Sequence, residues 1–149
     1  MKVLANDGLS KAGVERLEKA GHTVITDTVP QEELAKYIND NDVAAIIVRS
    51  ATKVRKDVID ACKNLRVIAR AGVGMDNIDV DYARSQGRTV VNTPNASSVS
   101  VAELALGHMI SVARSLNCSN QQMPLEGETR FAELKKQYSK GRELAGKTL

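Results

Sequence analysis

Short apolar runs and amphipathic stretches take turns along residues 2–91, and the alternation predicts strands and helices in succession. Lys2 to Ala5 reads as a strand. After an Asn-Asp-Gly turn, Ser10 is placed to cap a helix that reaches Ala20, turns Val14 and Leu17 inward and stops at Gly21. His22 to Asp27 is a second strand, and Pro30 opens a second helix with Gln31, Glu32 and Glu33 in its first turn and Leu34 and Ile38 facing inward. Val43 to Val48 shows no alternation at all, which is the pattern of a strand buried on both faces and so of a parallel sheet. A helix over Lys56 to Cys62, a strand over Arg66 to Arg70, a helix over Val80 to Gln86 capped by Asp79 and ended by Gly87, and a strand over Arg88 to Val91 complete the series.

Five strands alternating with four helices predict an α/β fold, a doubly wound parallel sheet of flavodoxin-like type. In such sheets ligands sit beyond the carboxyl ends of the strands. The residues expected there are Asn6 and Asp7 after the first strand, Arg49 and Ser50 after the third, Arg70 with Gly72, Val73 and Gly74 after the fourth, and Asn92 to Asn95 after the fifth. Two arginines, a serine hydroxyl and turn amides at one rim describe a site for a small polyanion, because guanidinium forks match carboxylate and phosphate oxygens.

The Gly-x-Gly turn is not a dinucleotide fingerprint. That motif needs a third glycine three residues after the second, and Asn77 stands there.

After Pro94 the pattern changes. Ser100-Val-Ala-Glu103 reads as a capping box, and the helix it opens is apolar nearly all round through Leu116, so it calls for cover from a second domain or a second copy of the chain. Asn117 to Gly127 reads as an extended polar connection, Arg130 to Tyr138 as a short helix, and Glu143 to Leu149 as a turn entering a new strand. The expected division is residues 1–96 for the sheet domain and 97–149 for the long helix and the arm that follows it.

Composition changes this picture little. Among 149 residues, 21 Lys and Arg against 18 Asp and Glu give a net charge of +3, spread along the chain with few aromatics, which argues against nucleic-acid binding. Cys62 and Cys118 lack metal or redox spacing and read as packing residues of a soluble, cytoplasmic protein, and no apolar run has signal-peptide or membrane-spanning length. No metal site is indicated. Glu103 is accounted for by the capping box, and His22 and His108 read as structural or incidental.

Five ordered motifs carry a resemblance: Val48-Arg-Ser-Ala-Thr-Lys-Val54, Arg70-Ala-Gly-Val-Gly-Met-Asp-Asn77, Asn92-Thr-Pro-Asn95, Ser100-Val-Ala-Glu-Leu104 and Leu144-Ala-Gly-Lys-Thr-Leu149. Together they resemble the first part of the D-2-hydroxyacid dehydrogenases, closest to the branch that acts on D-3-phosphoglycerate. The resemblance implies NAD-dependent oxidation of 3-phosphoglycerate to 3-phosphohydroxypyruvate, with this chain as the substrate-binding part. It further implies that Arg49 and Arg70 hold the substrate's phosphate or carboxylate, that Ser50 lies beside it, and that amides around Gly72, Val73 and Gly74 bind the carboxylate. Ser97, standing where the family often carries asparagine, is a further expected substrate contact. A basic residue of the arm, Arg130, Lys135 or Lys136, is expected to reach the substrate of a neighbouring subunit in a homodimer or larger homo-oligomer. The NAD fingerprint and the catalytic acid and base are expected beyond Leu149, so the chain by itself is expected to be inactive. A sister dehydrogenase acting on glyoxylate, glycerate or lactate and a non-catalytic oligomerisation fragment are the alternatives. A phospho-receiver is excluded, because Arg49 stands where its aspartate is needed and Asn92-Thr-Pro where its lysine is needed.

Overall fold

A computed structural model describes residues 1–148, in two compact units, Met1–Ser97 and a second that begins at Ser98. The first unit runs β1 (Lys2–Ala5), α1 (Lys11–Lys19), β2 (Thr23–Ile25), α2 (Leu34–Asp40), β3 (Val43–Val48), α3 (Lys56–Ala61), β4 (Val67–Arg70), α4 (Val80–Ser85) and β5 (Thr89–Asn92). Its five strands form one all-parallel sheet in the order β2-β1-β3-β4-β5, the flavodoxin-like order expected from the alternation.

A single apolar core joins one face of the sheet, through Leu4, Ile46, Val48, Ile68 and Val90, to Leu34 and Ile38 of α2, Val58 and Ile59 of α3 and Ala83 of α4. The other face is thinner. It presents Ala5, Ala45 and Ala69 with a half-buried Ile47, Val91 remains 46% exposed, and α1 contributes no fully buried residue. Val14 and Leu17, expected to face inward, are only half-buried. The expectation for β3 holds, since five of its six residues are fully buried.

Several boundaries differ from the sequence expectation, each for a local reason. Ser10 does cap α1, accepting from the Gly13 amide at 3.2 Å, and Gly21 and Gly87 end their helices with φ of 80° and 76°. Strand β2 is only three residues long, so His22 lies outside it. Helix α2 begins at Leu34, because Pro30 to Glu33 form a turn and the Gln31 side chain is drawn away to pair with the Lys53 backbone. Asp79 does not cap α4 with its side chain. Its carboxylate accepts from the first amide of α3, that of Lys56, at 2.9 Å and from Arg55 Nη1 at 2.8 Å, so it serves the neighbouring helix.

The second unit holds α5 (Ser98–Arg114) and α6 (Leu116–Tyr138), which differ in direction by 56° across Ser115 in left-handed conformation. Helix α5 begins two residues before the expected cap, so Ser100 lies inside its first turn and the capping-box account of Glu103 does not hold. None of its residues is buried, and Val101, Leu104, Leu106, Ile110 and Val112 are all exposed. The expected extended connection at Asn117 to Gly127 is helical. The half-buried positions there, Ser119, Gln122, Met123, Glu126 and Gly127, recur at helical spacing, but all except Met123 are polar or small, so the hydrophobic pattern conceals the helix. The expected start at Arg130 coincides instead with a kink within α6, where φ is −122°. Leu144 to Lys147 form a turn with Gly146 at φ 70°, and Leu149, the last residue of the expected new strand, lies outside the described residues. No single helix among the described residues is long and apolar enough to cross a membrane.

Cys62 packs as expected, buried with its thiol against the Ala35 carbonyl, and burial pushes its pKa up to about 11 against the pull of the Arg88 charge. Cys118 does not pack. It is exposed on α6.

Candidate functional site

The register of the sheet brings four strand ends level. Ala5 pairs with Ile47, Val48 with Arg70 and Arg70 with Asn92, so residues 6, 49, 71 and 93 leave along one carboxyl rim with neighbouring strands about 4.8 Å apart. The chain runs outward in opposite directions from β1 and β3, which makes their boundary the topological switch point. Asn6, Asp7, Arg49 and Ser50 stand there, and the Gly72 to Gly74 turn follows on the next strand.

The segment Arg49 to Thr52 is held by side chains from three directions. Asp7 Oδ2 accepts from the Arg49 amide at 2.6 Å and from the Thr52 amide at 3.1 Å, and Asp7 Oδ1 accepts from the Thr52 hydroxyl. Asn77 Nδ2 donates to the carbonyls of Arg49 at 2.9 Å and Thr52 at 2.6 Å. Beneath them, buried Asn6 donates to Thr52 Oγ1 at 2.8 Å and joins both backbone groups of Val29. The buried side chains of this small network, Asn6 and Thr52, have their polar atoms paired, which is what burial requires. Arg49 and Ser50 are exposed, and among the described residues the Arg49 guanidinium meets no carboxylate.

Burial alone would raise the pKa of Asp7, but the Thr52 hydroxyl and the amides of Thr52, Arg49 and Ala51 outweigh it and hold the carboxyl below its ordinary 3.8. A carboxyl depressed on folding contributes stability above its ordinary range and loses it as pH falls through the lowered value. The Asp7 side-chain carbon resonance is expected to titrate below 3.8, with the Arg49 and Thr52 amide resonances following the same midpoint. A midpoint at or above 3.8 would contradict the hydrogen-bond account.

The fourth strand delivers a different geometry from the one expected. Arg70 folds back over its own turn, donating from Nη1 to the Ala71 carbonyl at 2.8 Å, while its Nε is buried without a partner among the described residues. Neither glycine of the turn has positive φ. What Gly72 supplies is room, since a Cβ there would collide with Arg70 Nη1. The Gly72 amide is already used, donating to the Arg70 carbonyl at 2.9 Å, whereas the amides of Val73 and Gly74 donate to nothing among the described residues. Asn92 Nδ2 steadies the turn by donating to the Val73 carbonyl at 2.7 Å. Gly72→Ala is expected to displace the guanidinium without unfolding the sheet, lowering affinity for an anion such as 3-phosphoglycerate about fivefold, about the worth of one hydrogen bond. Calorimetry beside a melting curve checks this, and unchanged affinity would mean that the position of Arg70 does not matter.

The remaining candidates belong to the turn before α5 and to α6. Ser97 is exposed at the end of the turn before α5, and its side chain makes no hydrogen bond among the described residues. Arg130 is taken by Glu126 and by Glu133, the latter at 3.0 and 2.5 Å, and the pair holds its pKa above the ordinary arginine range. Lys135 and Lys136 are exposed and form no ion pair among the described residues. His22 precedes β2 at the amino end of the sheet, and His108 lies on α5 of the second unit. Among the described residues no three potential metal-ligating side chains come together. A depression of about 360 Å³ lined by Asp42, Lys63, Asn64 and Arg66 lies at the opposite, amino end of the sheet and contains no candidate residue.

Sequence reasoning passed over Thr52 and Gln31, and it read Asn77 only as a missing glycine. Their signal is a polar side chain beside a buried strand end, which hydrophobic patterning does not register.

The profile of D-isomer specific 2-hydroxyacid dehydrogenases, catalytic domain, matches residues 3–147. The chain belongs to this family. It is 42% identical to a D-3-phosphoglycerate dehydrogenase of Methanocaldococcus jannaschii, over 100% of this chain and 27% of that protein. It is 45% identical to a hydroxypyruvate reductase of Thermotoga maritima, over 99% of this chain and 46% of that protein. The NAD⁺-bound crystal structure of 3-phosphoglycerate dehydrogenase from Entamoeba histolytica superposes with a TM-score of 0.62 at 34% identity, covering 76% of this chain and 39% of that one. The chain thus spans between about a quarter and a half of the curated relatives it matches.

The Gly72 to Gly74 turn of this family member does not fit the pyrophosphate of a dinucleotide. Such a site sets a helix amino terminus directly after the glycines. Here Asn77 is committed to the Arg49 and Thr52 carbonyls, and α4 begins only at Val80.

Proposed function

We propose that this chain is the substrate-binding part of an NAD-dependent D-3-phosphoglycerate dehydrogenase, converting 3-phosphoglycerate to 3-phosphohydroxypyruvate. The observation that carries the reading is the meeting, at one sheet rim, of two guanidiniums without acidic partners and two turn amides without acceptors among the described residues. Arg49 and Arg70 neutralise the anion, Ser50 lies beside it, and the Val73 and Gly74 amides receive a carboxylate. The buried, unpaired Nε of Arg70 is a further donor that an anionic ligand satisfies.

The rim orients substrate and supplies no proton shuttle. Asp7 is engaged by backbone and hydroxyl donors, and His22 stands at the opposite, amino end of the sheet. In this reading NAD, which supplies hydride transfer at the C2 carbon, and the acid and base are held by residues other than these. The account predicts that the pure chain binds 3-phosphoglycerate but catalyses no NAD-dependent oxidation of it, and turnover in a spectrophotometric assay would overturn it.

The Thermotoga maritima relative favours a second reading, a substrate without phosphate. Calorimetric comparison of 3-phosphoglycerate with glycerate and hydroxypyruvate separates the two, because losing the phosphate removes charge-assisted bonds that the arginines otherwise make. We also infer a homo-oligomer in which exposed α5 is covered by a second copy. With Arg130 occupied, Lys135 or Lys136 is then the arm cation available to a neighbouring subunit's substrate.

A further inference from the structure

The geometry points to Asp7 and Asn77 as positioning residues that fix the backbone of Arg49, and with it Ser50, for anion binding. The inference rests on the anion-site reading above and adds what makes that site preformed.

A four-residue turn commonly closes on itself, its first carbonyl accepting from its fourth amide. Arg49 to Thr52 does not close that way. The Thr52 amide goes to Asp7 Oδ2 at 3.1 Å, and the Arg49 carbonyl goes to Asn77 Nδ2 at 2.9 Å. The same two side chains take the outward groups as well, Asp7 the Arg49 amide at 2.6 Å and Asn77 the Thr52 carbonyl at 2.6 Å. Both backbone groups at each end of the segment are therefore held by side chains, from one direction by a carboxylate at the end of β1 and from the other by a carboxamide on the connection between β4 and α4.

The two side chains are not interchangeable. Asp7 meets only donors and Asn77 Nδ2 meets only acceptors, so an amide at 7 or a carboxylate at 77 sets like against like. This also accounts for Asn77 in the place where a dinucleotide fingerprint has glycine, because glycine has no side chain to donate. A guanidinium on a long stem binds a forked anion well only when its root is held, since otherwise the ordering cost falls on binding. Neither Asp7 nor Asn77 touches the ligand in this account. They act through Arg49.

The test uses the whole chain with Asp7→Asn, Asn77→Asp and the milder Asn77→Ala, read by amide hydrogen exchange and by calorimetry with 3-phosphoglycerate. Val58→Ala, a core change in α3 away from the rim, is the control for lost stability. Exchange at the Arg49 and Thr52 amides is expected to quicken about tenfold while Ile46 and Ile68 keep their protection, and affinity is expected to fall about tenfold in the clamp variants but not in Val58→Ala. Unchanged exchange at residues 49 and 52 would overturn the clamp. Faster exchange with wild-type affinity, or an equal loss of affinity in Val58→Ala, would overturn its positioning role. Failure of the wild-type chain to bind 3-phosphoglycerate sinks the substrate reading instead, and the exchange data still decide the clamp.

Discussion

Replacing Arg49 with alanine is expected to weaken binding of 3-phosphoglycerate by about tenfold to a hundredfold while moving the stability of the chain by no more than about 0.5 kcal/mol. The size follows from what the guanidinium does and does not touch. Its side chain is exposed and meets no carboxylate among the described residues, so removing it breaks no folded-state pair. Its charge stands at the switch point beside the free turn amides, so a bound anion loses a two-pronged partner. Arg49→Lys keeps the charge without the fork and should fall between wild type and alanine. Both losses should shrink as salt is raised, because the site is open to screening. Wild-type affinity in Arg49→Ala, measured by calorimetry, would remove this residue from the site.

The second large effect is on stability. Ile46→Ala is expected to destabilise the chain by about 2–5 kcal/mol, seen as a lowered denaturant midpoint at unchanged slope. Ile46 is fully buried at the centre of the sheet, level with Leu4 on β1 and Ile68 on β4, in the face that α2, α3 and α4 cover. Against a total of about 5–15 kcal/mol for a typical domain, the loss is a large fraction. Val91→Ala on the thinner face should cost less than about 1 kcal/mol, because Val91 is 46% exposed already. Equal losses at the two positions would mean that the two faces are covered alike, contrary to the burial described here. The core and the site are linked through β3, whose last residue Val48 is also buried and immediately precedes Arg49.

The two faces show why the fold was legible in the sequence. Val43 to Val48 has only apolar residues, and such a run can be satisfied only as a central parallel strand. Glycine at 21 and 87 marks helix ends because the chain there takes a positive φ that other residues avoid. The rim was legible too, since the order of strands and the positions of Arg49 and Arg70 follow from the alternation alone.

What escaped was set by polar contacts between segments distant in sequence. Asp79 looks like the cap of α4 and instead caps α3, because Arg55 and the Lys56 amide come within reach only in the folded sheet. Gln31 looks like part of a helical first turn and instead pairs with the Lys53 backbone. Arg70 looks like an outward fork and instead lies over Gly72, a close approach that no residue pattern encodes. In α6 the inward stripe is made of serine, glutamine, glutamate and glycine around one methionine, so a search for apolar periodicity finds a connection where there is a helix.

The most direct test of the central claim is a titration of isotope-labelled chain with 3-phosphoglycerate, followed by amide resonances. The account predicts saturable shifts at Arg49, Ser50, Val73 and Gly74, with Lys63 and Arg66 at the opposite end of the sheet unmoved. Shifts gathered at Lys63 and Arg66, or none in the folded chain, would contradict it.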